Sequence, residues 1–196
     1  MTRRRELLLI GILLAFLLLF ALAPRGSSEI TRENAVALVS SDLQPLIDGG
    51  ALVSFQSVSK SSSTVWTAEV RIVEDPYSRC PRVFKRYYTF SPFGYRPETI
   101  IDNCQVRPPI VYPEEALIAA GKDPLVAAMP QAKGCAVLLK DYRASDALAY
   151  CPWFAEEQFT SFVASLPDSA WVTQWVSGNA VTFVALDSNG AVLKKS

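Results

Sequence analysis

Residues 51–76 read ALVSFQSVSKSSSTVWTAEVRIVEDP. In the second half of this stretch Val65, Thr67, Glu69 and Arg71 alternate with Trp66, Ala68, Val70 and Ile72. Successive side chains leave a strand on opposite sides, so a period of two marks an extended segment with one buried face. Val53, Phe55 and Val58 give a looser version of the same pattern upstream. The polar cluster at residues 60–63 separates the two runs, which predicts a β-hairpin. A third strand is expected over Arg82–Phe90, where Phe84, Tyr88 and Phe90 share a face.

The period changes on the N-terminal side. In ITRENAVALVSSDLQPLIDGG (residues 30–50), Ala35, Leu38, Val39, Leu43 and Leu46 fall on one helical stripe. Thr31 is placed as N-cap, and Glu33 in the first turn favours the helix dipole. Pro45 is expected to kink or end the helix, and Gly49-Gly50 to stop it. A helix followed by an antiparallel meander is one α+β unit, helices packed on antiparallel sheet.

A second unit follows. QVRPPIVYP (residues 105–113) carries three prolines and is expected to be an extended connector between a lobe at residues 24–104 and a lobe at residues 114–196. A short helix is expected over Pro113–Ala120, with Glu114 and Glu115 at its positive end. Gly121 and Pro124 break it, and a further short helix runs toward Met129. GCAVLLKDYR (residues 134–143) is a strand candidate. Residues 154–166 form a helix with Phe159, Phe162, Val163 and Leu166 as its apolar stripe. The turn clusters Ser177-Gly178-Asn179 and residues 187–190 then divide the C-terminal stretch into three short strands.

Helix followed by meander therefore occurs twice. The segments ITRENAVALV…VWTAEVRI and FTSFVASL…VTFVALDSNGAVLKK resemble the PepSY-type pattern, which has a cystatin-like shape. Ile30, Thr31, Glu33 and Ala35 match its I-T-x-E-x-A helix start; Asp187, Gly190 and Val192 match its closing D-x-x-G-x-V turn. The resemblance implies an envelope binding or regulatory module, with no catalytic residues to carry over.

The N-terminus reads RRRELLLIGILLAFLLLFALAPRG (residues 3–26). Leu7 to Ala23 is a run of 17 uncharged residues, about 25 Å long as a helix and close to the roughly 30 Å hydrocarbon core. Ala21 and Ala23 resemble a cleavage signature, but Pro24 would follow the cut, and a proline cannot extend normally into a protease cleft. The expectation is an uncleaved signal-anchor at residues 7–23 in a single-pass cell-membrane protein. The other reading is a long signal peptide cut elsewhere, after Gly26-Ser27-Ser28. Arg3, Arg4 and Arg5 precede the run, so residues 1–6 stay cytoplasmic and the main domain is extracytoplasmic.

Four cysteines in an exported segment predict disulfides. Of the three possible pairings, Cys80–Cys104 and Cys135–Cys151 close the smallest loops and are expected; the cross-pairings stay open. The spacing lacks C-x-x-C pairs and the chain has no His, so no metal or other cofactor is expected. The missing His also removes the commonest general base and the usual partner of a Ser or Cys nucleophile, which argues against an enzyme. With 19 basic and 19 acidic residues the chain lacks a nucleic-acid-binding balance.

The stretch RCPRVFKRYYTFSPFGYRP (residues 79–97) holds Arg79, Arg82, Lys85, Arg86 and Arg96 without an acid, interleaved with aromatics. Arg and Tyr together are typical interface anchors. Arg82, Lys85, Arg86, Tyr88, Tyr95 and Arg96 are therefore the candidate binding residues, set against the plainer reading of a strand with one buried aromatic face. Ser57-Val58-Ser59-Lys60 matches S-x-x-K, but it sits at a strand end where Lys60 is not one helical turn from Ser57. Residues 187–190 lack the spaced carboxylates of a calcium loop. Glu74-Asp75 and Glu156-Glu157 are neighbours whose side chains diverge. The expected function is a membrane-tethered binding or regulatory module engaging another envelope protein or an acidic surface. The alternative is a structural subunit of a membrane complex or surface filament assembled partly through its anchor helix.

Overall fold

The computed structural model describes residues 30–60, 65–144, 151, 153 and 156–196. The anchor expected at residues 7–23, most of the turn at residues 60–63 and the helix start at Phe154 lie outside the described residues. Among the described residues no helix is long and apolar enough to cross a membrane.

The first helix, α1 (Arg32–Asp48), starts as expected: the Thr31 hydroxyl accepts from the Asn34 amide at 3.2 Å. The Glu33 carboxyl is held below its ordinary value, chiefly by its backbone amide and then by the Thr31 hydroxyl. Ala35, Val39 and Leu43 are fully buried at four-residue spacing. Leu38, expected on that stripe, is 44% exposed; at 100° per residue it points about 100° away from the stripe's centre. Pro45 does not end the helix, which continues to Asp48. The bond Pro45 cannot donate would go to the Ser41 carbonyl, and both residues are exposed, which leaves that carbonyl accessible to solvent. Gly50 (φ 89°) then turns the chain into the sheet.

Sheet A is an antiparallel meander in the order β1 (Leu52–Lys60), β2 (Trp66–Glu74), β3 (Arg82–Phe90), β4 (Phe93–Ile101). Alternation in β2 buries Ala68, Val70 and Ile72 beneath α1. Strand β4 was not expected. It contains Gly94 and Pro97, both poor strand residues, and its place at the sheet edge is what tolerates Pro97.

Residues 102–112 form no helix or strand. Two bonds fix them instead: Ile110 N–H donates to Ser188 O at 2.7 Å, and the Trp171 indole donates to Ile110 O at 3.2 Å. Helix α2 occupies Pro113–Ala120, as the sequence predicts, and α3 is the short turn Pro124–Ala127 capped by Asp123.

Sheet B has the order β5 (Lys133–Leu138), β6 (Trp171–Ser177), β7 (Ala180–Leu186), β8 (Val192–Lys195). The strand expected over residues 134–143 stops at Leu138 and becomes helix α4 (Leu139–Ala144). There the Leu139 and Lys140 amides leave the ladder for Ala170 O and Asp168 O, while Asp141 favours the new helix's first turn. Helix α5 (Glu156–Val163) lies between β5 and β6 in sequence and buries Phe159, Phe162 and Val163.

The layers follow from which residues share a core. One face of sheet B packs Ala136, Trp171, Trp175, Val184 and Leu186 against Ala116, Leu117 and Ala120 of α2. Its other face packs Val137, Val172, Phe183 and Ala185 against α5. Ile118 of α2 instead joins Val73, Val83 and Ile101 of sheet A. The order of layers is α1, sheet A, α2, sheet B, α5, with α2 shared by both sheets.

Both disulfides pair near neighbours, Cys80–Cys104 and Cys135–Cys151, with Cα separations of 5.1 and 5.7 Å. Non-reducing peptide mapping is expected to recover these two linked pairs. Replacing both Cys80 and Cys104 by Ala is expected to cost about 3 kcal/mol, read from urea unfolding, because it frees a long loop in the unfolded chain.

Candidate functional site

The basic-aromatic stretch is divided between the two faces of sheet A. Phe84, Arg86, Tyr88 and Phe90 alternate toward α1, whereas Lys85 and Tyr87 face the opposite side. Tyr88 is 1% exposed, and its hydroxyl donates to Asp42 of α1 at 2.6 Å. Arg86 donates to the same Asp42 oxygen at 2.9 Å and lies over the Tyr95 ring at 4.2 Å. Burial, and then the bond to Asp42, push the Tyr88 phenol well above its usual range. Two of the six candidate residues, Arg86 and Tyr88, thus tie α1 to the sheet through Asp42.

The remaining four are more open but locally matched. Arg82 pairs with Glu74 at 3.4 Å and covers the Phe84 ring. Lys85 donates to Glu69 at 2.7 Å, and that bond raises its pKa. Arg96 lies over the Tyr87 ring at 5.2 Å, and Tyr87 donates to Glu98 at 2.5 Å. Tyr95 is 44% exposed, with its ring tilted against that of Tyr88. Interleaved Glu69, Glu74 and Glu98 come from β2 and β4, strands that neighbour β3 only once the sheet forms. They offset part of the positive charge that residues 79–97 carry in isolation.

The catalytic motifs do not assemble. Ser57 pairs opposite Glu69 and Lys60 opposite Trp66, which places them on opposite faces of β1. The Asp187 carboxylate accepts from the Asn189 and Ala191 amides, both at 2.8 Å, as a hairpin turn requires. Among the described residues no three His, Cys, Asp or Glu converge as a metal site.

A different site lies between the two sheets. A cavity of about 340 Å³ is walled by Leu52, Val53 and Val73 of sheet A, Pro76 and Tyr77 beyond β2, Leu117 of α2, and Cys135 and Ala136 of sheet B. Its polar wall is one ion pair: Arg71 donates to both Glu114 oxygens, at 3.0 and 2.6 Å. Tyr112 covers that guanidinium at 4.6 Å. These partners are 43 residues apart, and no local sequence signal joins them. Leu52 and Ser54, at the start of β1, also line the cavity, and among the described residues β1 is an edge strand paired only with β2. Leu52 and Phe55 stand 41% and 38% exposed along it, and Lys60 is its one charged residue.

No protein family, curated protein or solved structure matches this chain.

Proposed function

We propose that this chain is a membrane-tethered, extracytoplasmic binding module without enzymatic activity, which receives an extended segment of an envelope protein along β1. The observation that carries this reading is the β1 edge, which among the described residues pairs only with β2 and whose first residues line the cavity between the sheets. Soluble domains usually blunt such an edge with Pro, Lys, a bulge or a covering loop. β1 has a bulge between Phe55 and Ser57, yet its first half remains open and apolar. An added strand satisfies the outer backbone groups and sets alternate side chains toward the cavity, the mode by which extended peptides join sheet edges. Export is in keeping with the apolar N-terminal run and with both pairs of bridged cysteines. The helix-and-meander order of sheet A is in keeping with the PepSY-type resemblance and its implied regulatory role.

Full-length protein carrying a photo-crosslinking side chain at Ser54, in native membranes, tests the site. One discrete adduct is expected from Ser54 and none from the same group at Asp102. With the group kept at Ser54, Phe55→Pro, which disrupts the same edge strand, is expected to abolish the adduct. Adducts arising only from residues 7–23 would favour the alternative, a subunit assembled through its anchor helix.

A further inference from the structure

The two disulfides differ in their surroundings. Cys135 and Cys151 are 4% and 3% exposed, inside the core between sheet B and α5. Cys104 is exposed and Cys80 half-buried, and each belongs to a segment without helix or strand. Cys104 also holds a left-handed backbone, φ 55°, which a β-carbon disfavours. A buried bridge has to be uncovered before a thiolate can reach it. An exposed one does not, and exposed bridges are the labile, regulatory or catalytic ones.

The Cys80–Cys104 bridge also joins two stretches that build the cavity. Cys80 ends the loop at residues 75–80, which supplies Pro76 and Tyr77 to the wall. Cys104 begins the stretch that leads to Tyr112, Pro113 and Glu114, which cover Arg71 and complete the polar side. Besides the bridge, the loop is tied across by Gly134 N–H to Tyr77 O at 2.7 Å and by Arg79 to Ala127 O at 3.1 Å. Among the described residues, the first backbone bond from the Cys104 stretch to the rest of the fold comes only at Ile110. Val106 packs against both cores on the way. The bridge is therefore the covalent tie that fixes one wall of the cavity against the other.

We propose that Cys80–Cys104 is a thiol–disulfide exchange site for a dithiol reductant, and that its reduction weakens the hold of the cavity and the β1 edge on their segment. The proposal rests on the proposed function for what that site holds. The reductant's thiolate attacks the exposed Cys104 Sγ; the S–S bond breaks, and Cys80 leaves as a thiolate that takes up a proton. The reductant's second thiol then attacks its own sulfur in the mixed disulfide and releases Cys104 as a thiol. Two electrons pass from the dithiol to the bridge, and the reductant departs as a disulfide. The reduced chain keeps its strands and its buried bridge. Pro76, Tyr77 and Tyr112 gain freedom that binding then has to remove, which lowers affinity.

The test uses full-length protein in native membranes, with the photo-crosslinking group at Ser54 and dithiothreitol as the dithiol. Differential alkylation with peptide mapping reads each bridge separately. Cys80 and Cys104 are expected to be alkylated at a roughly tenfold lower dithiothreitol concentration than Cys135 and Cys151. Over that range the Ser54 adduct is expected to fall several-fold, while purified full-length protein keeps its far-ultraviolet circular dichroism. The variant with Cys80→Ala and Cys104→Ala is expected to give the low adduct yield without dithiothreitol and no further response to it. Bridges that open together, or in the reverse order, would overturn the exchange site. Selective opening with an undiminished adduct, or a further loss in the double variant, would overturn the control of binding and leave the proposed function standing. Absence of the adduct from oxidised protein would overturn both.

Discussion

Arg71→Met is expected to destabilise the domain by about 3–5 kcal/mol, because it strands a buried carboxylate. The Arg71 and Glu114 side chains are only 13% and 10% exposed, and their two-point pairing joins β2 to α2. A surface pair of the same geometry is worth at most about 1 kcal/mol, so magnitude distinguishes the two cases. The double variant Arg71→Met with Glu114→Leu is expected to recover most of the loss, since two apolar side chains there need no counter-charge. Urea midpoints of the wild type, both single variants and the double variant check this. A single-variant loss below about 1 kcal/mol would show that water reaches the pair. The same substitutions change the polar wall of the cavity, so they are also expected to weaken any segment held there.

Trp175→Ala is expected to cost about 3–5 kcal/mol through the void it leaves. Trp175 is fully buried in the core between sheet B and α2. Its ring occupies the space above Gly134: a Cβ built there would stand 2.6 Å from the ring carbons. The glycine is what lets the indole lie flat against β5. The indole N–H donates to Thr173 Oγ1 at 3.0 Å, and that hydroxyl donates to Val184 O at 3.1 Å. Truncation removes the first bond as well as the packing. Thermal unfolding monitored by far-ultraviolet circular dichroism reads the loss. A shift no larger than that of an exposed-residue control would mean that the surrounding side chains collapse into the space.

Much of the fold was legible because local chemistry and tertiary packing agree. Thr31 caps α1, β2 alternates, Pro113 opens α2, and the cysteines pair with their near neighbours. Expectations failed where the deciding partner is distant in sequence. β4 carries Gly94 and Pro97 and exists because β3 offers it an edge. Residues 139–144 leave β5 because Ala170 O and Asp168 O take their amides. The candidate binding stretch reads as basic in isolation because the acids that pair with Arg82, Lys85 and Arg86 lie on β2 and α1. Tyr88 already shares the aromatic face with Phe84 and Phe90 in the sequence, whereas Arg86 could be placed there only once Asp42 stood opposite it. The cavity left no trace in the sequence: its walls come from both sheets, and the exposed Leu52 is indistinguishable by type from a core leucine.

The sharing of α2 between two cores has a consequence for cooperativity. Ala116, Leu117 and Ala120 belong to the core of sheet B, whereas Ile118, on the same eight-residue helix, belongs to that of sheet A. A helix this short has little stability of its own. Detaching either sheet would uncover one side of α2 and release the helix that completes the other core. The two meanders therefore melt as one unit, although each has the strand order of an independent module. The connector at residues 105–113 acts as a seam inside that unit and not as a hinge.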